Sequence, residues 1–99
     1  MEIQEDTWIW VVIQDPDKSE ALLGQYDEKN DISFIPAFTD KNNAEDCMGL
    51  LVKDEGKKYE LQAMQYKLLM EHASSNNFMI FFLDSNGNIL DRIDPSDAL

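Results

Sequence analysis

Two stretches of this chain are apolar on both of their alternating faces. In TWIWVVIQ, Thr7 to Gln14, the side chains of Trp8, Trp10 and Val12 alternate with those of Ile9, Val11 and Ile13; FMIFFLD, Phe78 to Asp84, has the same character. Successive side chains of a strand point to opposite sides of its sheet, so a strand apolar on both sides must be covered on both. Aromatic and β-branched residues favour the extended state in each stretch. The chain is therefore expected to build a sheet with buried interior strands. Ninety-nine residues, 43% of them hydrophobic, suffice for one domain with a single modest core.

The remaining segments supply what packs around those strands. ALLGQY, DEKND and ISFIPAF read as strand, turn and strand, with Pro36 pointing to a sheet edge or strand end because it cannot donate a ladder bond. Thr39 or Asp40 can cap a helix whose apolar stripe is Ala44, Cys47, Met48 and Leu51. KDEGKK stops it, with Gly56 as a left-handed cap. KYELQAM reads as a strand, and Gln65 to Ser75 as a second helix with the stripe Tyr66, Leu69, Met70 and Ala73, widened by Leu68. A short strand from Asn88 to Ile93 follows, and residues 1–6 and 94–99 are expected to be frayed tails. The order β-β-β-α-β-α-β-β describes a single-domain α+β fold: one mixed sheet of about six strands with two helices packed on it.

ISFIPAFTDKNNAEDCMGLL resembles the N-terminal domain of the SseB-like family of bacterial proteins, where a strand ends in a P-x-F-T turn and feeds a helix. Here that turn is Pro36, Ala37, Phe38 and Thr39, with Ala44 following. YELQAMQYKLLMEHASSNNFMIFFLD is similar in outline. The resemblance implies an α+β domain with a role in protein contacts and no catalytic residues to carry over. After the last buried strand the chain departs from it, with DSNGN where a small-residue and proline motif would stand.

Charge narrows the functional classes. Twenty acids face eight bases, a formal net charge of −12. Such a surface repels phosphate backbones and anionic lipid, which disfavours nucleic-acid and membrane partners and favours basic proteins. No apolar run is long enough to span a bilayer. The acidic start MEIQEDTW is unlike a secretory leader, so a cytoplasmic location is expected.

Chemistry-bearing motifs are few. Asp84, Asn86 and Asn88 alternate as the first ligands of a calcium loop do, but sixth and twelfth from Asp84 stand Ile89 and Pro95, where that loop needs a glycine and a bidentate acid. Asn86-Gly87 between two strands reads instead as a hairpin with a type I′ turn. No metal site and no cofactor are expected. Cys47, the single cysteine, lies on a helix stripe and reads as a buried thiol; a nucleophile would need a base, and only His72 could serve. The acid pairs Asp27-Glu28, Glu45-Asp46 and Asp54-Glu55 fall in turns or on helix surfaces, where carboxylates stay solvated. Trp8 and Trp10 share one strand face, either as core or as an exposed aromatic patch of the kind enriched at interfaces.

The expectation is a small non-catalytic protein-interaction domain with a protein partner, the acidic surface favouring a basic one. The contact residues would be Trp8, Trp10, Asp27, Glu28, Asp31, Glu45 and Asp46, together with any exposed sheet edge. A sharper version is a neutraliser of immunity type that presents carboxylates to a basic enzyme. The rivals are a ligand-binding domain or enzyme using a sheet cleft with Cys47 or His72, and a homodimer joined edge to edge.

Overall fold

The structure is a computed structural model that describes residues 3–17 and 20–98. Its elements are β1 (Trp8–Gln14), β2 (Ala21–Leu22), β3 (Gln25–Asp27), β4 (Ile32–Phe38), α1 (Lys41–Met48), β5 (Tyr59–Gln65), α2 (Tyr66–Ser75), β6 (Met79–Leu83), β7 (Ile89–Ile93) and a final turn of helix, α3 (Pro95–Ala98). All strands join one mixed seven-stranded sheet. The fold is α+β, with two principal helices.

β1 is interior, as its two-sided apolarity requires. One edge pairs antiparallel with β5 along its whole length, from Trp8↔Gln65 to Gln14↔Tyr59. Its other edge is shared by β4, through Trp10 and Val11, and by β2, through Ile13 and Gln14. β6, the other doubly apolar strand, lies between β4, to which it is parallel, and β7, to which it is antiparallel.

The seventh strand arises because ALLGQY is not one strand. It breaks at Leu23 and Gly24, and its halves pair with different partners: Leu22 opposite Ile13 of β1, Gln25 opposite Phe34 of β4. Gly24 sits at the break against the ring of Phe78, where a Cβ would come within 3.0 Å of Cε1. Pro36 also departs from expectation. It is buried in an interior strand. It is tolerated there because β4 pairs with β3 only from Ile32 to Phe34 and with β1 only at Ala37 and Phe38, so Pro36 falls in the gap between the two antiparallel partners.

The two helices cover opposite faces. On one, α2 buries Leu69, Met70 and Ala73 against Ile9, Val11, Ile13, Ile35, Ile80 and Phe82. On the other, α1 buries Ala44 and Cys47 against Phe38, Phe81 and Leu83. Leu68 does not widen the α2 stripe; it is 45% exposed.

The helix ends follow from local hydrogen bonding. Asp40 caps α1, its carboxylate accepting from the backbone N–H groups of Asn42 (2.7 Å) and Asn43 (3.3 Å). α1 stops at Met48 with Gly49 as its cap, so Gly56, at φ +82°, serves the turn before β5 and does not end the helix. α2 follows β5 without a loop and has no side-chain cap. The N–H groups of Tyr66 and Lys67 donate instead to the carbonyls of Thr7 (2.8 Å) and Glu5 (2.9 Å). That contact, with Ile3 packed on the core, ties residues 3–6 down where frayed chain was expected; residues 1, 2 and 99 lie outside the described residues. The other expected tail also folds back: Pro95 is fully buried and α3 packs on α2.

Candidate interaction surface

Trp8 and Trp10 share the α1 face of β1 but meet different fates. Trp10 stands opposite Phe38, the last residue of β4, and is half-buried, with Lys41 Nζ 5.2 Å from its ring centroid. Trp8 lies beyond the end of β4, with only β5 beside it, and is 60% exposed. The all-core reading therefore fails for Trp8.

The acids divide into two places. In the β3–β4 turn, Asp27 accepts from the Lys29 N–H (3.1 Å) and from Asn30 Nδ2 (2.9 Å). The bond from Asn30 is the main reason its carboxyl ionises below the usual range, and Arg92 adds a smaller pull. Asp31 sits at φ 52° and accepts the Tyr26 hydroxyl, a bond that raises the tyrosine pKa. Glu28 is exposed. On α1, Glu45 is paired loosely with Lys41 at 3.9 Å and Asp46 is exposed. Contacts thus connect Trp10, Lys41 and Glu45, while Asp27, Glu28 and Asp31 occupy a separate turn.

The β6–β7 connection is a hairpin, but its turn is not type I′. Gly87 donates to the Asp84 carbonyl at 3.1 Å and is the loop residue with positive φ, +80°, whereas Asn86 has negative φ. Asp84 N–H donates to the Asn88 carbonyl at 3.0 Å, so the loop is a three-residue turn closed by a glycine bulge. The Asp84 carboxylate selects this form by accepting from the N–H groups of Asn86 and Asn88, both 2.9 Å, and from Asn88 Nδ2 at 3.0 Å. The bonds from Asn88 are the main cause of its lowered pKa. Both oxygens that could face a cation are thus engaged by the loop itself. The described residues hold no cluster of three or more His, Cys, Asp or Glu able to bind a metal ion.

Cys47 and His72 cannot act together. Cys47 is buried under α1, where desolvation, helped by the Asp84 charge, raises its pKa and disfavours the thiolate. His72 is exposed on α2, beside Ile13, Ile35 and Met64 on the far face of the sheet, at a shallow cavity of ≈ 350 Å³. The sheet separates the two, which removes the Cys–His unit considered from sequence.

Sequence reasoning missed a half-exposed apolar row on the α1 face. Phe34 stacks on Phe81, centroids 4.3 Å apart, and Arg92 lies over the Phe81 ring at 5.5 Å. Ile32 and Met79 flank them, both half-buried. The Gln25 side-chain amide grips Val52 as a strand would, donating to its carbonyl and accepting from its N–H, each at 2.8 Å. That grip presents Val52 at 77% exposure, with Leu50 at 63% nearby in the chain. The signal was present in the apolar run GLLV after α1, where Leu51 turns inward and its neighbours do not.

No protein-family model, curated protein or solved structure matches the chain. Among the described residues no helix is long and apolar enough to cross a membrane.

Proposed function

We propose that this chain is a small, non-catalytic interaction domain that binds a basic protein in the cytoplasm. The observation that carries the reading is the formal charge of −12 displayed on a solvated surface. No described acid is buried. The ion pairs Lys41–Glu45, Lys57–Asp54 and Lys58–Asp17 are long, 3.8–3.9 Å, and exposed, so they neutralise little of that charge. A field of one sign speeds encounter with a partner of the other sign and rejects like-charged ones. The likeness of residues 32–51 to SseB-like domains points the same way.

The test is a pull-down from native lysate with the tagged chain, at about 0.05 M and about 0.5 M salt. A variant with Asp27→Asn, Glu28→Gln, Glu45→Gln and Asp46→Asn runs beside it. The expected result is one basic protein retained at low salt, lost at high salt, and retained less by the variant. Enrichment of no protein at either salt would contradict the reading.

A further inference from the structure

The α1 face of the sheet is only partly covered by its own helix. α1 has eight residues and packs on β1, β4, β5 and the Phe81–Leu83 part of β6, whereas the face continues over β3, the start of β6 at Met79, and β7. What lies there is contiguous. Val52 is bonded to Gln25, Gln25 stands opposite Phe34, Phe34 is in register with Met79 and stacks on Phe81, and Arg92 crosses Phe81. At the α1 end of this row, Leu50 lies against the β6–β7 turn, 3.7 Å from where a Gly87 Cβ would be, and Ile89 opens β7 at 38% exposure. The turn is itself fastened to α1 through the Ser85 hydroxyl, 2.6 Å from Asn43 Oδ1. Large aliphatic side chains are thus held outward on pinned backbone beside half-buried rings, the composition of a docking surface.

The rim says what covers it. At the Val52 end the surface runs into a cleft of ≈ 510 Å³ where β1 and β3 part; among the described residues its lining includes Glu28, Asp54, Tyr26 and Tyr59 and no basic residue, with Lys57 reaching Asp54 only through the long, exposed pair at 3.8 Å. Asp27 adjoins on β3, and Arg92 is occupied by Phe81 and the Asp27 field. A second copy would bring another charge of −12 against this rim. We infer that the face Phe34–Met79–Leu50–Val52–Ile89 docks an apolar surface of a basic protein, with a Lys or Arg of that partner entering the Glu28–Asp54 cleft. The inference rests on the charge-based reading above and locates its contact face.

Amide chemical-shift mapping of the full ¹⁵N-labelled chain tests it, with an amphipathic leucine–lysine helical peptide as probe and a scrambled peptide of identical composition as control. The face predicts that the amphipathic peptide binds about tenfold more tightly than the scrambled one, the loss expected when anchor side chains are misplaced. It also predicts that the largest shifts fall at Phe34, Leu50, Val52, Met79 and Ile89. Equal binding of both peptides, with shifts spread over the acidic turns, overturns the docking face and leaves the charge reading standing. Absence of binding by either peptide at low salt overturns both. The same amides shifting with protein concentration alone assigns the face to a second copy and overturns the basic occupant.

Discussion

The two faces of the sheet are built from the same two central strands yet are finished differently. Under the ten-residue α2, Leu69, Ala73, Ile80 and Phe82 are almost wholly removed from water. Under the eight-residue α1, Phe38, Cys47 and Phe81 are as deeply buried, but Phe34, Met79 and Ile32 stay half-exposed, and Leu50 and Val52 face solvent. Apolar burial drives folding, so a face left open forgoes stability that a longer helix would supply. The α2 face has the larger buried cluster, and the α1 face, with Leu50 and Val52 exposed beside it, is the one we propose for a partner.

Substitutions matched across the two faces test that contrast. Leu69→Ala, on the closed face, is expected to cost about 3 kcal/mol, and Met79→Ala, on the open face, about 1 kcal/mol. Urea unfolding measures both, and equal losses would erase the distinction. Asp40→Ala removes the cap of the short helix and should cost about 1 kcal/mol, loosening the α1 face while leaving α2 amides protected from hydrogen exchange.

Asp84→Ala probes the turn that braces α1. The folded-state pKa of Asp84 lies below its ordinary value of 3.8, so its contribution is present above that value and is lost as pH falls through the lower, folded one. Wild type should therefore exceed the variant in stability at neutral pH, with the gap closing as pH drops below 3.8. A gap constant down to strongly acid pH would deny the carboxylate its role. Trp8→Ala gives the smallest effect: at 60% exposure it should shift stability by no more than about 0.5 kcal/mol.

The period-two apolar pattern made β1 and β6 legible as central strands, and the helical spacing of Ala44 with Cys47 and of Leu69, Met70 and Ala73 identified both helix faces. What the pattern could not carry was set by partners distant in sequence. Gly24 breaks its strand against Phe78, and Pro36 is tolerated where β4 changes partners. Trp8 is exposed because β4 ends two residue pairs short of it, at Trp10↔Phe38. Alternation assigns a side chain to a face; how far the neighbouring strand or helix reaches over that face is decided in three dimensions. The acids Asp27, Glu28, Asp31, Glu45 and Asp46 were legible as surface, but the apolar row beside them was not, since Phe34 and Met79 look like core in the sequence.

The most direct measurement is calorimetric titration of the leucine–lysine peptide into two variants, one for each side of the sheet. Leu50→Ser with Val52→Ser alters the α1 face, and Leu68→Ser alters an exposed leucine on α2. A docking face on the α1 side predicts about tenfold weaker binding for the first and unchanged binding for the second. Equal weakening in both, or none in either, would contradict it.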